Sequence, residues 1–113
     1  MHRFYQMAQA ANRRFPRGVE PYQMATRLLG ECGEVASEIN LWEDSGLKRQ
    51  KRGAPKKENI ANEIRQAMTE LAKIAQYYGV EAELEASIAA SLARSRAEGL
   101  LPAEDAVQAP VCE

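Results

Sequence analysis

The sequence predicts an all-α protein, a four-helix bundle that is completed by dimerisation. Apolar residues recur with the 3.6-residue period of an amphipathic helix in four segments, and no stretch alternates apolar and polar residues long enough to predict a strand. The hydrophobic fraction of 45% is ordinary, but much of it is alanine, so the core of one copy is expected to be thin. A second copy of the chain is therefore expected to complete it.

Length, charge and cysteine usage narrow the classes of protein that fit. The 113 residues suit one domain, predicted over 1–99 with a flexible C-terminal tail over 100–113. A formal net charge of −1 does not favour a protein that coats nucleic acid or an anionic membrane. No apolar run approaches the roughly 18 residues that cross a bilayer, and the N-terminus lacks the apolar stretch of a signal peptide. Cys32 and Cys112 stand far apart without CxxC spacing, so we expect a cytoplasmic protein without a disulfide framework or zinc site.

Turn and cap residues set the bounds of the four predicted helices, 3–14, 21–42, 58–78 and 81–98. Pro21 suits the first turn of the second helix, and Gly79 and Gly99 are natural stops for the third and fourth. Two apolar stripes on the central helices are predicted to face inward. They contain Met24, Leu28, Cys32, Val35, Ile39 and Trp42 on the second helix and Ile60, Ile64, Ala67, Met68, Leu71, Ile74 and Ala75 on the third.

Acidic and amide side chains border both central stripes at i, i+3 and i+7, which places each set within about 60° on its helix. The sets are Glu31, Glu34 and Glu38 on the second helix and Glu63, Gln66 and Glu70 on the third. Packing the two stripes together would bring these edges close, and converging carboxylates repel one another unless a cation lies between them. Mg²⁺ prefers oxygen ligands of this kind. The spacing therefore indicates a magnesium site between the two helices.

A basic loop, 43–57, joins the same two helices. The residues of this loop predicted to contact phosphate are Lys48, Arg49, Lys51 and Arg52. A metal ion beside basic side chains is an arrangement suited to a polyphosphate. The alternative for both features is a solvated surface, because glutamates on helix flanks and basic connectors are common there.

The stretch Leu28-Leu29-Gly30-Glu31-Cys32-Gly33-Glu34-Val35 resembles the E-x-x-E signature of the MazG-like, all-α nucleoside triphosphate pyrophosphatase superfamily. The segment 58–71 is similar to the helix that carries the second signature, E-x-x-D, and the resemblance covers roughly 20–98. It implies a MazG-like four-helix bundle that assembles as a dimer or a dimer of dimers. It also implies a hydrolase that uses Mg²⁺, or Mn²⁺, to convert a nucleoside triphosphate into a monophosphate and pyrophosphate.

The resemblance also implies roles for individual side chains. The implied metal ligands are Glu31, Glu34, Glu63 and Gln66, and the implied catalytic glutamates, which orient or deprotonate the attacking water, are Glu38 and Glu34. Glu70 would support the site from one turn further along. Gln66 stands where the family has an aspartate, so the metal affinity is expected to be lower. On the last helix, Ser91 and Ser95 replace a lysine and an asparagine that contact phosphate and base in the family. This leaves Arg94 and Arg96 as basic neighbours, and Arg94 is the one expected to contact phosphate.

Two other functions stay open at this point. In one, the chain is a catalytically impaired MazG-like scaffold that binds a nucleotide or a protein partner. In the other, it is a helical interaction module whose basic loop contacts nucleic acid. The leading expectation is a nucleoside triphosphate as the substrate, with neither a membrane nor a nucleic acid as a partner.

Overall fold

The computed structural model describes residues 1–17, 19–43 and 53–103, and these ranges contain four α-helices and no strand. The helices are α1 (His2–Arg14), α2 (Pro21–Trp42), α3 (Lys57–Tyr78) and α4 (Glu81–Ala97). The prediction of an all-α fold with four helices is confirmed. Within the same ranges, no helix combines the length and the apolar character that a membrane crossing requires.

Local residue chemistry explains the helix ends, which lie within one residue of the predicted positions. Pro21 occupies the first turn of α2, where a missing N–H group costs no hydrogen bond. Gly79 ends α3 in the left-handed conformation at φ 64°, and its N–H group donates to the carbonyl of Gln76 at 3.2 Å. A residue with a Cβ atom rarely adopts this conformation.

The chain divides into two compact units, of which the first, Met1–Gly79, contains α1, α2 and α3. Within this unit α3 packs against both α2 and α1. The side-chain amide of Gln76 donates to the backbone carbonyl of Tyr5 at 3.2 Å, and the hydroxyl group of Thr69 lies 3.7 Å from the sulfur of Met7. These contacts fix α1 against α3.

The second unit begins at Val80 and contains α4. Glu81 and Glu83 lie in the first turn of this helix and Arg94 and Arg96 in the last, as the helix dipole favours. Of the predicted tail, 104–113 lies outside the described residues.

The core of the first unit is small and partly polar. Its buried side chains are Ala8, Met24, Glu38, Leu41, Ala72, Lys73 and Ala75. Several residues predicted to face inward are instead exposed in the single chain, so that prediction is wrong for Cys32, Ile39, Trp42, Ile64, Met68 and Leu71. The reason is the position of α1, which packs against the side of α3 that carries the polar residues Thr69 and Gln76. That side is therefore the inner one, and part of the apolar surface faces outward.

Candidate functional site

The inner face of α3 carries the polar side chains of the candidate site. Glu63, Gln66, Glu70 and Lys73 recur at i, i+3, i+7 and i+10, which is the spacing of residues on one side of a helix. The first three are partly buried and Lys73 is fully buried. Acidic and basic groups thus lie where a helix of this length would ordinarily bury aliphatic side chains.

The glutamates of α2 differ in how far they are buried. Glu38 is 3% exposed, Glu31 is half-buried and Glu34 is exposed. Buried and half-buried positions on this helix follow a regular spacing that includes Met24, Glu31 and Glu38. Glu31 and Glu38 therefore belong to the packed face itself, whereas the sequence placed them at its border.

The carboxyl group of Glu31, on α2, interacts with charged side chains of its own helix and of α3. Burial raises the pKa of this carboxyl group above the ordinary value of 4.5, and the nearby charges of Glu63, Glu70 and Glu34 raise it further. The guanidinium group of Arg65 acts in the opposite direction, lowering this pKa. Acidic side chains of α2 and α3 are therefore close enough to repel one another, as the spacing of the acids predicted.

Three carboxylate oxygens of the acidic cluster formed by Glu31, Glu34, Glu63 and Glu70 are buried without a hydrogen bond. They are Oε2 of Glu31, Glu63 and Glu70, which accept no hydrogen bond from the residues that the structure describes. A buried polar atom in this state costs about 1–3 kcal/mol of folding free energy, and more when the group is charged. A proton or a cation at these oxygens would remove that cost.

Lys73 compensates part of the negative charge. Its ammonium nitrogen lies 3.3 Å from Oε2 of Glu70, with side chains that are 1% and 12% exposed respectively. The contact is an ion pair without hydrogen-bond geometry. One buried ammonium group thus stands beside Glu70, while the oxygens of Glu31 and Glu63 lack such a partner among the described residues.

A groove of about 660 Å³ opens beside this cluster, bounded by α1, α2 and α3. Glu31, Gln66 and Glu70 lie along its wall, together with the buried Lys73. Its volume falls within the range of about 300–1,000 Å³ that is typical of small-molecule sites. The predicted ligands Glu31 and Gln66 therefore line a space that can hold a small molecule, whereas Glu34, Glu38 and Glu63 do not line it.

Three arginines also line the groove, and the sequence did not single them out. They are Arg14 from α1, Arg27 from α2 and Arg65 from α3. Arg27 precedes Glu31 by one helical turn and Arg65 adjoins Gln66, so a search for basic residues near the acids would have found both. Arg14 carries no such signal, because only the packing of α1 against α3 brings it to the groove.

The residues predicted from the sequence to contact phosphate lie in two separate parts of the chain. Lys48, Arg49, Lys51 and Arg52 lie outside the described residues. Arg94 lies in the last turn of α4, in the second unit. The basic side chains that the structure places beside Glu31 and Gln66 are the groove arginines.

Metal binding is favoured by the kind of side chain present more than by their arrangement. No group of three carboxylate, imidazole or thiol side chains among residues 1–17, 19–43 and 53–103 is arranged to hold a metal ion. The buried oxygens of Glu31 and Glu63 nevertheless are hard oxygen donors of the type that Mg²⁺ takes. Comparison with known proteins assigns no family, because no protein-family model, curated protein or solved structure matches this chain.

Proposed function

We propose that the protein is a Mg²⁺-dependent nucleoside triphosphate pyrophosphohydrolase that acts in the cytoplasm as a homodimer or a dimer of dimers. The observation that carries the proposal is the position of the acidic cluster. Carboxylates of α2 and α3 interact at Glu31, and Glu31 lines a groove that three arginines also line. A substrate that combines a divalent cation with a polyphosphate carries charges complementary to both sets of side chains.

The proposed metal ligands are Glu31, Glu34 and Glu63, with the amide oxygen of Gln66 as a neutral fourth. Mn²⁺ would serve in place of Mg²⁺, because both ions take oxygen ligands. When bound, the cation supplies positive charge that offsets both the repulsion among the carboxylates and the charge of the phosphoryl oxygens. Glutamates that repel one another move apart when no cation lies between them, so the ligands are expected to close around the ion only on binding.

The proposed reaction is hydrolysis at the α phosphorus. A water oxygen attacks this atom, the bond from it to the oxygen that bridges to the β phosphorus breaks, and that oxygen leaves with the electron pair as part of pyrophosphate. The proton from the water passes to a carboxylate, for which we propose Glu38 or its neighbour Glu34. Glu38 is 3% exposed, whereas Glu34 meets solvent directly.

A pyrophosphate-release assay tests the proposal. The full chain is incubated with a panel of ribo- and deoxyribonucleoside triphosphates, with Mg²⁺ and with a chelator. The expected result is release of pyrophosphate and a monophosphate from at least one nucleotide, in the presence of the metal alone. Absence of metal-dependent turnover across the panel would contradict it.

A second candidate function, a scaffold that binds nucleotide without turnover, is favoured by Gln66. This neutral side chain lines the groove at the position where the resemblance implies an aspartate. Gln66→Asp is expected to tighten Mg²⁺ binding by roughly tenfold, because it adds a negative charge among the proposed ligands. The measurement is a Mg²⁺ titration by calorimetry. Gln9→Glu makes a similar change at an exposed position of α1 and should leave the affinity unchanged.

The outcome of that comparison separates the two functions. An unchanged titration for Gln66→Asp would show that this side chain is not among the metal ligands. Tighter binding together with new turnover would show that the natural chain is a scaffold. Tighter binding with turnover already present in the natural chain would favour the enzyme.

The proposed dimer is supported by apolar side chains that the single chain leaves exposed. On α3, Ile64, Met68 and Leu71 are 44%, 41% and 48% exposed and lie at i, i+4 and i+7. On α2, Ile39 and Trp42 are 49% and 39% exposed. A stripe of this kind is typical of a helix that packs against another polypeptide, and a second copy of the chain is the partner that we propose.

Met68→Glu is expected to weaken the dimer, because it would place a carboxylate in an apolar contact. The expected rise in the dimer dissociation constant is about 30-fold, the effect of losing a contact that contributes about 2 kcal/mol. Sedimentation equilibrium measures it. Asn59→Glu adds the same side chain at an exposed position on the opposite side of α3 and serves as the control. A natural chain that is monomeric at every concentration would contradict the proposal.

A further inference from the structure

The groove arginines are available to bind an anion. All three are exposed, and the structure pairs neither Arg14 nor Arg27 with a carboxylate of the described residues. Arg65 donates from Nη2 to the side-chain oxygen of Asn62 at 2.6 Å, one turn earlier on α3. This hydrogen bond orients the guanidinium group and uses one of its five N–H donors. The charge of the same group also acts on the carboxyl group of Glu31.

Arg14, Arg27 and Arg65 line one groove from three separate helices. Each guanidinium group is planar and presents N–H donors in a fork that matches two oxygens of a phosphate group. A single phosphate engages one or two such forks, so three of them around one groove suit an anion with more than one phosphate. The groove volume of about 660 Å³ leaves room for such a chain and for part of a nucleoside.

The acidic wall of the same groove narrows the ligand class further. Glu31 and Glu70 would repel a bare anion, and the arginines would repel a bare cation. A polyphosphate whose one end carries a divalent cation satisfies both walls. In this arrangement the cation lies toward the glutamates, and the phosphates furthest from it lie toward the arginines.

We propose that Arg14, Arg27 and Arg65 bind the two terminal phosphates of the nucleotide, the part that leaves as pyrophosphate. This inference rests on the proposed function and deepens it. When the bond at the α phosphorus breaks, negative charge develops on the departing oxygen, and guanidinium groups at the leaving group stabilise that charge. The loop residues Lys48, Arg49, Lys51 and Arg52 lie outside the described residues and remain a separate prediction of phosphate contacts.

Binding of inorganic pyrophosphate tests the proposal without requiring turnover. Isothermal titration calorimetry with pyrophosphate, in chelator and in Mg²⁺, is carried out on the full natural chain and on Arg14→Ala, Arg27→Ala and Arg65→Ala. Each substitution is expected to weaken binding by about tenfold, the effect of losing one charged hydrogen-bonding partner. Arg13→Ala removes an arginine of α1 that is adjacent to Arg14 but does not line the groove, and should bind as the natural chain does.

A lysine variant and a folding control complete the experiment. Arg27→Lys keeps the charge without the fork, so it is expected to recover only part of the affinity lost in Arg27→Ala. Circular dichroism melts identify any variant that fails to fold. If Arg27→Ala does not fold, Arg27→Lys takes its place in the comparison with the natural chain.

The outcomes for this inference and for the proposed hydrolysis are separable. If the natural chain does not bind pyrophosphate, or if the three alanine variants bind it as well as Arg13→Ala does, the arginines are not its site, whatever the turnover assay gives. If the alanine variants lose binding while no nucleotide is hydrolysed, the arginine site stands and the hydrolase proposal fails.

Discussion

Replacing Glu31 by glutamine is expected to abolish most metal-dependent activity while making the metal-free protein more stable. The carboxyl group is a proposed metal ligand, so turnover and Mg²⁺ affinity should each fall by about 100-fold or more. Removing a residue that only hydrogen-bonds to a metal ligand typically costs about 10- to 100-fold, and removing the ligand itself should cost at least as much. The gain in stability follows from repulsion. Burial and the charges of Glu63 and Glu70 disfavour the ionised carboxylate of Glu31, and glutamine carries no charge.

The pH dependence of that gain has a definite sign. Because the pKa of Glu31 is raised above the ordinary value of 4.5, the folded state holds its proton more tightly than the unfolded state. Below the ordinary value both states are protonated and the two proteins should be similarly stable. As the pH rises through the raised pKa the natural chain loses this contribution, and the glutamine variant does not.

Thermal melts from pH 4 to pH 8 without metal measure the difference. Near neutral pH the variant should gain about 1 kcal/mol, the lower end of the range for a buried unsatisfied group, which corresponds to about 5 °C in a domain of this size. Glu85→Gln, at an exposed position of α4, is the control and should change neither stability nor activity. Equal stability of Glu31→Gln and the natural chain across the series would remove the case for strain at the cluster.

Lys73→Met is expected to give the largest loss of stability. The ammonium group is 1% exposed and lies 3.3 Å from Oε2 of Glu70, so its removal leaves a largely buried carboxylate without its cation. Breaking one side of a buried ion pair costs about 3–5 kcal/mol. A small domain has about 5–15 kcal/mol in total, so the variant should unfold at a much lower denaturant concentration.

Two further variants test whether the loss of stability comes from the charge of Lys73. Lys73→Met/Glu70→Gln removes both charges and should recover most of the stability, because no unpaired charge remains. Lys57→Met makes the same substitution at an exposed position of α3 and should have little effect. If Lys73→Met and the double variant unfold at the same urea concentration, the lysine contributes through its aliphatic chain and not through its charge.

Helix bounds were predictable because their causes are local. Pro21 at the start of α2 and Gly79 at the end of α3 act through their own backbone chemistry, which needs no tertiary partner. The grouping of the acids on one side of each helix was predictable for a related reason, since the i, i+3 and i+7 spacing fixes which side chains share a face. Both kinds of evidence lie within one segment of the sequence.

The direction in which α2 and α3 face was not predictable from their own residues. Each helix carries apolar side chains on more than one side, and Cys32 and Met68 fit a helical stripe as well as Met24 does. The choice between the possible inner faces depends on α1, which packs against α3 from a distant part of the sequence. Arg14 was missed for the same reason, because its place in the groove follows from that packing.

The contact between α1 and α3 also limits when, during synthesis of the chain, the first unit can fold. Thr69 meets Met7 across 62 positions and Gln76 meets Tyr5 across 71, so α1 acquires these contacts only after nearly all of the first unit has left the ribosome. Contacts between residues this far apart carry a loop-closure entropy that adjacent helices avoid, and they tend to form late in folding. Since α1 supplies Arg14 to the groove, the binding surface is completed only after α3 has been synthesised, and a nascent chain released before α3 would lack it.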